Sequence, residues 1–356
     1  MLARIGFPMR LSLATSPLAF RDELESILGS FLEERRRELA PIDAGLSDAL
    51  GELSALAGAG GKRIRPWFVE WGHRAAGGDP DHRLAHAAAA VEMLHTFALI
   101  QDDIIDRSEL RRGRPAVHIA LGGSHGRHHG SSAALLLSDL AFVWSDLLLC
   151  RAGYAGRPLT RAREVFNVLR EEVIVGQFQD LSLTSAQRFD MGAALEVNLR
   201  KTAGYTVLRP IELGMALADA PAALVAGAGS YARPVGQAFQ LRDDLLGAFG
   251  DSRVTGKPDG DDLAAAKSTW LLARGLAHQG RAGAELQRLV GLPARGHAEV
   301  ELMREALVAA GAVSDAERLI ERLRARALRC ADRLPISESC RAELDEVTAR
   351  LVDRAS

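Results

Sequence analysis

The sequence predicts an all-α protein, a single-domain bundle of long helices, and three observations support this. Apolar residues recur every three or four positions along most of the chain, which is the period of one helix face. The alternation of β-branched residues that marks strands is essentially absent. Hydrophobic residues make up 47% of the 356 residues, with no fixed-period repeat and no composition break at a domain boundary. Helices of this kind bury their apolar faces against one another.

The predicted helices follow one another closely. The first begins after Ser16-Pro17, which is a helix-start signal. Residues 1–17 are predicted to be a loose N-terminal extension, and residues 18–356 the helical domain. The histidine-rich segment 122–130 is predicted to be a mobile surface loop with solvated histidines. In chain order, helices are predicted over residues 18–39, 41–57, 67–76, 81–103, 131–151, 159–183, 187–217, 220–247, 261–279, 297–311, 313–330 and 338–353.

Composition and charge exclude several classes of protein. The formal net charge of −2 and the isoelectric point of about 6.6 show no basic nucleic-acid-binding footprint and no acidic tail. No apolar run reaches the roughly 18 residues of a membrane span, so neither a span nor a signal peptide is predicted. Cys150, Cys330 and Cys340 have no metal-ligand or disulfide spacing, and they are expected to be buried thiols in a reducing cytoplasm.

The stretch from Gln101 to Pro115, QDDIIDRSELRRGRP, combines carboxylates with arginines at the end of an apolar run. A helix places residues four apart on one face, so Asp102 and Asp106 repel each other unless a cation lies between them. Mg²⁺ takes oxygen ligands from carboxylates, waters and substrate phosphates, and the guanidinium fork matches phosphate oxygens. The stretch therefore predicts a site for a metal-bound diphosphate, although a solvated charged loop would show the same acidic triplet.

A second acidic stretch, FQLRDDLLGAFGD, runs from Phe239 to Asp251 near the end of another predicted helix. Two helices that each finish in an aspartate pair can face each other across a cavity and hold several metal ions with one diphosphate. Basic residues occur in GGKRIRP, RKTAGY, TGKPDGDD and AAKSTW. Each of these alone is most simply a helix cap or a solvated charge, but together with the acidic pairs they indicate an anionic substrate.

These motifs resemble those of the trans-isoprenyl diphosphate synthases, also called polyprenyl synthetases, and most of all the geranylgeranyl diphosphate synthases. Residues 95–118 resemble the family's first aspartate-rich motif with its arginine follow-on, which is a highly specific pattern. The other matching motifs occur in the family's order: GGKRIRP at 60–66, GQFQD at 176–180, KT at 201–202, FQLRDD at 239–244 and GKPDGDDLAAAKST at 256–269.

The resemblance implies a bundle of mostly antiparallel helices around a deep apolar cavity, in a homodimer. It also implies the reaction. An allylic diphosphate (dimethylallyl, geranyl or farnesyl) loses its diphosphate, and the double bond of isopentenyl diphosphate captures the resulting cation head to tail. Loss of a proton, with the diphosphate as its implied acceptor, leaves a chain that is five carbons longer. Mg²⁺, expected as three ions, is the implied cofactor.

The motif positions carry the family's site residues onto this chain. The implied metal ligands are Asp102, Asp103, Asp106, Asp243 and Asp244. The implied contacts are Lys62, Arg65, His95 and Arg112 for isopentenyl diphosphate, and Arg111, Lys201, Lys257 and Lys267 for the allylic diphosphate. The implied catalytic residues are Asp102, Asp106, Lys201, Asp243, and Thr202 and Gln240 beside the cation. A helical wheel supports His95, because it lies about 20° from the face of Asp102 and roughly 10 Å away along the axis.

One position departs from the family pattern. Many relatives carry a third aspartate at the end of the second acidic motif, where this chain has Gly247. Asp251, further along the chain, is a candidate substitute. The departure puts the third carboxylate in doubt but not the activity, because the pair Asp243 and Asp244 is intact.

Residues just before the first aspartate predict the product length, because bulky side chains there form the cavity floor in this family. Ala98 lies about 40° from Asp102 on the wheel and leaves room, whereas the wheel alone places Phe97 about 140° away. The family pattern nevertheless places Phe97 at the floor, and one aromatic beside a small residue is typical of C20 synthases. The alternatives are a Phe97 in the core and a floor set by Met93, Leu94 or residues 135–137.

Other functions are less well supported by the motifs. A farnesyl or longer-chain polyprenyl diphosphate synthase is the alternative product class. A class I terpene cyclase shares the acidic motif and the fold, but it needs no isopentenyl site, so GKRIRP and RRGRP argue against it. A non-catalytic regulatory subunit is a further alternative, against which the intact acidic motifs and lysines argue.

Overall fold

A computed structural model describes residues 18–250 and 260–353, and helices account for most of that length. In chain order the helices are α1 Leu18–Leu39, α2 Ala44–Gly58, α3 Ile64–Ala75, α4 His82–Asp106, α5 Val117–Gly122, α6 Arg127–Arg151, α7 Gly156–Ser185, α8 Met191–Asn198, α9 Arg209–Leu217, α10 Ala222–Phe249, α11 Asp261–Ala264, α12 Trp270–Leu276, α13 Arg281–Val290, α14 His297–Ala309, α15 Ala312–Ala331 and α16 Glu338–Val352. A π-helical segment, Leu199–Leu208, joins α8 to α9 without a break. The all-α prediction is confirmed.

The predicted bounds of the long helices agree with the structure to within a few residues, but three predictions are wrong. The helix predicted over residues 261–279 is two short helices, α11 and α12, and Thr269 caps the second by accepting from the Leu272 amide at 3.2 Å. Helices α5 and α13 were not predicted. The segment 122–130 is not a loop, because it forms a 3₁₀ turn and the first turn of α6.

The core of the N-terminal half lies between α4 and α6. Helix α4 begins at Asp81, whose carboxylate accepts from the amides of Arg83 and Leu84 at 3.0 and 3.2 Å. From Ala87 to Val91 no residue of α4 has exposed surface, and these small side chains let α6 pack closely along it. The helix ends where Arg107 takes a left-handed conformation (φ 55°). The first acidic motif therefore stands at the end of a helix fixed by the core.

The π-helical segment is held between α7 and α10 by two glycines. A Cβ atom on Gly236 of α10 would lie 2.5 Å from the Cβ of Ala203, and one on Gly176 of α7 would lie 2.6 Å from the backbone nitrogen of Lys201. Both distances are too short for non-bonded atoms, so only glycine allows these approaches. The packing fixes the backbone at Lys201 and Thr202.

Helix α6 corrects two expectations. Among the described helices it alone is long and apolar enough to cross a membrane by length and composition, although core helices pass the same test. It packs along α4, and 44% of its most apolar 18-residue stretch is buried. Its outer face leaves Leu135 and Leu136 exposed, so neither reaches a cavity floor, whereas Leu137 is buried and stays a candidate for it. Cys150 is exposed rather than buried.

Candidate active site

A cavity of about 310 Å³ lies between α4, α7 and the π-helical segment. Its wall on α4 carries Phe97, Ala98 and Ile105, and its wall on α7 carries Val173 and Phe178. The polar residues of the lining are Arg65, His95, Gln101, Asp102, Gln177, Lys201, Thr202 and Tyr205. The cavity is thus apolar along its length, with charged groups gathered where the first acidic motif begins.

Arg111 joins the two adjacent aspartates at the end of α4. Its Nε donates to both carboxylate oxygens of Asp103 at 3.0 and 3.1 Å, and its Nη2 donates to Asp102 Oδ2 at 3.2 Å. Arg111 reaches them because the chain folds back after Asp106 in a short hairpin, Leu110–Arg111 against Arg114–Pro115. Asp103 is only 1% exposed, so its charge requires such a partner. The contact of Arg111 with a diphosphate remains a prediction.

Lys201 connects the first acidic motif to α7. Its Nζ lies 2.6 Å from Asp180 Oδ2 and 3.3 Å from Asp102 Oδ1. Burial opposes the charge on Lys201, yet Asp102 and Asp180 raise its pKa above the usual value. The amine is therefore charged at neutral pH and lies between two carboxylates from different helices.

Lys267 makes the corresponding link to α11. Its Nζ lies 2.5 Å from Asp106 Oδ2 and 3.4 Å from Asp262 Oδ1. Burial again opposes the charge, while Asp262 and Asp106 raise the pKa well above the usual value. Lys201 and Lys267 thus stand between the carboxylates of α4 and those of the facing helices.

The second acidic motif lies at the end of α10. Gln240 donates from Nε2 to Asp244 Oδ1 at 2.7 Å, so its side chain supports the motif. Burial raises the pKa of Asp244 to about 7, and the charges of Asp262, Asp243 and Asp180 add to this shift. Asp244 Oδ2 has no hydrogen-bond donor among residues 18–250 and 260–353. A cation at this point would satisfy the buried oxygen and favour the ionised carboxylate.

The donor set fits Mg²⁺ bound together with a diphosphate. All the candidate ligands are carboxylates, which suit a hard cation. Within the described part of the chain, no three Asp, Glu, His or Cys side chains converge on one point. Mg²⁺ commonly uses only one or two protein carboxylates and completes its shell with waters and substrate phosphates. The arrangement is therefore suited to ions shared between the two acidic motifs and a diphosphate.

A separate basic group surrounds His95. Burial lowers the pKa of His95 well below its usual value, so the imidazole is neutral at pH 7. Its Nδ1 lies 2.6 Å from the hydroxyl of Tyr205. The arginines that lower the pKa further are Arg65, Arg112, Arg111 and Arg63. So many positive charges around one neutral histidine favour an anion at this place.

Two of these arginines have no carboxylate partner within ion-pair range among the residues that the structure describes, namely Arg65 and Arg112. The Arg65 guanidinium lies 4.2 Å from the Tyr205 ring centroid, and Arg112 donates from Nη1 to the carbonyl of Gly60 at 2.8 Å. Arg63, by contrast, is buried and paired with Glu25 and Glu92 at 2.8 and 2.5 Å. Arg63 is therefore a structural residue, whereas Arg65 and Arg112 are available to an anion.

The structure places most of the predicted residues either among the carboxylates and lysines or among the arginines around His95, with some exceptions. Lys62 is exposed and lies beside α1, outside the lining of the main cavity. Lys257 and Asp251 lie outside the described residues. Sequence reasoning assigned no role to Asp180, Tyr205 or Asp262. Asp180 ends the quoted GQFQD motif, and a carboxylate on an apolar helix was the available signal for it.

The comparisons with known proteins agree with this geometry. A model of the polyprenyl synthetase family matches residues 50–308, a span that includes both acidic motifs. A (2E,6E)-farnesyl diphosphate synthase of Mycobacterium tuberculosis is 32% identical over 300 residues, which cover 83% of this chain and 80% of that protein. A geranylgeranyl diphosphate synthase of the same organism is 33% identical over 244 residues, which cover 68% of this chain and 66% of that protein.

Solved structures show the same likeness. A geranylgeranyl pyrophosphate synthase from Corynebacterium glutamicum, complexed with isoprenyl diphosphate and magnesium, has a TM-score of 0.90 and 35% sequence identity, and the match covers 94% of this chain and 99% of that one. A polyprenyl synthase from Caulobacter crescentus, complexed with calcium and isoprenyl diphosphate, has a TM-score of 0.75 and 27% identity, covering 91% and 98%. The similarity therefore extends over the whole helical fold.

Proposed function

The chain belongs to the polyprenyl synthetase family, and from that premise we propose that it is an isoprenyl diphosphate synthase whose main product is geranylgeranyl diphosphate. It condenses isopentenyl diphosphate head to tail with an allylic diphosphate. The observation that carries the proposal is the pairing of two distinct charged groups at one apolar cavity. One group is rich in carboxylates and lysines. The other is rich in arginine, and within the described part of the chain its Arg65 and Arg112 form no ion pair with a carboxylate.

The group of carboxylates and lysines is the proposed site of the allylic diphosphate. Asp102, Asp106 and Asp243, supported by Asp103 and Asp244, hold Mg²⁺, expected as three ions. When bound, these ions stabilise negative charge on the departing diphosphate. Lys201, Lys267 and Arg111 supply fixed positive charge to the same oxygens, and Lys257 is proposed to join them. Such preorganised charge stabilises the transition state more than the ground state, because the leaving group gains negative charge as its bond breaks.

The arginine group is the proposed site of isopentenyl diphosphate. Arg65 and Arg112 bind its phosphates, with Lys62 at the exposed side. The neutral His95, held by Tyr205, donates a hydrogen bond from its other ring nitrogen. The cavity wall at Thr202 and the backbone of the π-helical segment face the allylic cation, and Gln240 acts through Asp244. The apolar lining keeps water from the cation until the isopentenyl double bond captures it, and the proton then passes to the diphosphate.

A product assay tests this function. The purified protein is incubated with Mg²⁺ and labelled isopentenyl diphosphate, together with dimethylallyl, geranyl or farnesyl diphosphate in turn. We expect mainly the C20 alcohol after dephosphorylation. A C15 or longer product would retain the enzyme class and overturn the assigned length. Folded protein that elongates none of the three primers would support the alternative of a non-catalytic subunit.

Phe97→Ser is expected to lengthen the product. Phe97 is 5% exposed, lines the cavity and packs on Phe142 of α6 with the ring centroids 5.1 Å apart. Removing its ring opens the cavity toward Phe142, so chains beyond C20 fit. The size distribution of the dephosphorylated products measures the effect.

The control for Phe97→Ser is Phe31→Ser. Phe31 is equally buried, at 4% exposed, and it packs on Trp144 away from the cavity. Each change should cost about 3–5 kcal/mol of stability, because each removes a buried ring. Only Phe97→Ser should change product length. An unchanged C20 product from Phe97→Ser would make Phe97 an ordinary core residue.

We also propose that the active form is a homodimer built on the outer faces of α6 and α7. Five exposed large hydrophobic residues among those described lie on these two helices outside the cavity lining, and Arg170 and Asp146 join the helices through an ion pair of 3.3 Å. These residues are Leu135, Leu136, Val143, Val168 and Val175. An apolar patch of this extent marks an association surface, and a twofold axis would bury it against its own copy.

The double variant Leu136→Glu/Val143→Glu is expected to be monomeric. Both side chains are exposed, at 67% and 59%, so the charges should not disturb the fold of the single chain but should prevent burial in an interface. Light scattering should show the mass fall from twice 38.2 kDa to 38.2 kDa. Val308→Glu, which is 59% exposed on α14, serves as the control. A monomeric wild-type protein would contradict the proposal.

We further propose that residues 18–356 act as one catalytic domain in the cytoplasm. All three cysteines are unpaired, as a reducing compartment favours.

A further inference from the structure

The side chain of Asp262 occupies the space directly beside Gly247. Gly247 lies on α10, one helical turn after Asp243 and on the same face. A Cβ atom built on Gly247 would lie 2.1 Å from Asp262 Oδ2 and 3.0 Å from Asp262 Cγ. The carboxylate of Asp262 therefore fills the volume where a side chain at residue 247 would begin.

Asp262 is held firmly at this place. Its helix, α11, is anchored by Leu263, which is 2% exposed, and by Arg295, whose Nε donates to the carbonyl of Ala264 at 2.8 Å. The amide of Lys267 donates to the carbonyl of Asp262 at 2.9 Å, so the aspartate and the lysine are parts of one turn. The position of the carboxylate is thus set by the backbone of α11.

Asp262 also interacts electrostatically with the charged residues of the candidate active site. Its Oδ1 lies 3.4 Å from Lys267 Nζ, and the same amine lies 2.5 Å from Asp106 Oδ2 in the first acidic motif. Asp262 therefore faces the space between the two acidic motifs, where the proposed function places the metal-bound diphosphate.

We propose that Asp262 supplies, from α11, the third carboxylate of the second acidic motif, and that glycine at position 247 is the adaptation that makes room for it. This rests on the proposed function. The chain thus keeps three carboxylates at this end of the cavity, although α10 itself carries only two. Asp262 takes the role for which Asp251 was the sequence-based candidate.

Metal binding measures this directly, without turnover. Calorimetry records the affinity of the full chain for Mg²⁺ in the presence of inorganic diphosphate, which cannot be elongated. Asp262→Asn should weaken Mg²⁺ binding about 10–100-fold, the usual cost of losing an oxygen that binds or orients a metal's ligands. Asp261→Asn, one residue earlier on the same short helix, is the matched control and should bind as the wild type does.

Gly247→Ala tests the same contact by a change on α10. Alanine in a helix is favoured over glycine by about 0.5–1 kcal/mol, so helix propensity alone should not lower the thermal stability of this variant. The added methyl group must nevertheless displace the Asp262 carboxylate, so Mg²⁺ affinity should fall. In an Asp262→Asn background the same substitution should lower Mg²⁺ affinity much less, because the two changes act on one group.

The exchange variant Gly247→Asp/Asp262→Gly decides the matter. It moves the carboxylate back to α10, and Mg²⁺ affinity should recover to within about threefold of the wild type from the value of Asp262→Gly alone. Wild-type affinity in Asp262→Asn, or no recovery in the exchange variant while both proteins remain folded by circular dichroism, would overturn the inference. A wild-type chain that elongates no primer and binds no Mg²⁺ with diphosphate would overturn the proposed function as well.

Discussion

Asp102→Ala should lower turnover by roughly 100-fold or more at saturating Mg²⁺, since a catalytic ion contributes several kcal/mol to stabilising the leaving group. Asp102 lines the cavity and lies within 3.3 Å of Lys201 and 3.2 Å of Arg111. Among the described residues it is the one carboxylate in the cavity lining, so under the proposed function its loss should remove a metal ligand beside the allylic diphosphate. Steady-state kinetics with isopentenyl and farnesyl diphosphates measure the loss.

The variant should remain folded, so the loss reports chemistry and not unfolding. Lys201 keeps Asp180 as a partner at 2.6 Å, and Arg111 keeps Asp103 at 3.0 Å. Neither cation is therefore left buried and unpaired, which is the usual cause of severe destabilisation. Asp48→Ala, an exposed aspartate on α2, is the control and should turn over normally. Near-normal turnover in Asp102→Ala would remove Asp102 from the metal site.

The parts of the fold that could be predicted are those specified by local sequence. Helix α4 was predicted over 81–103 and observed over His82–Asp106, because its apolar run is long and Asp81 supplies an N-cap. Helix α13 was missed because it is short and lies between Gly280 and Gly291, which by themselves favour turns. Long periodic segments override such local signals, whereas short ones do not.

The parts of the site that could not be predicted depend on tertiary packing. Motif spacing identified the carboxylates of α4 and α10, but it could not show that Lys201 pairs with Asp180. That pairing requires the close approach that Gly176 allows between α7 and the π-helical segment. A π-helical register is likewise invisible in the sequence, yet it places Tyr205 against His95. The same holds for Asp262, which meets Gly247 only after the chain has folded back.

Arg112→Ala should raise the KM for isopentenyl diphosphate by about 10–100-fold, because a charge-assisted hydrogen bond contributes about 1.5–3 kcal/mol. The KM for the allylic partner should change by less than about threefold. Arg112 belongs to the arginines around His95 and not to the group of carboxylates and lysines. Burial lowers the pKa of Arg112 and Glu92 opposes this, while Arg63, Arg111 and Arg65 lower it further. An anion relieves that repulsion, and this is the reason to expect a large effect.

Arg114→Ala is the matched control, because Arg114 lies on the same hairpin and its nearest carboxylate is that of Glu52, at 3.6 Å. Its side chain is 53% exposed, so its removal should leave both KM values close to those of the wild type. The discriminating quantity is the ratio of the two KM changes in Arg112→Ala. A larger rise for the allylic diphosphate than for isopentenyl diphosphate would mean that the arginine group binds the primer, and the two substrate sites would then have to be exchanged.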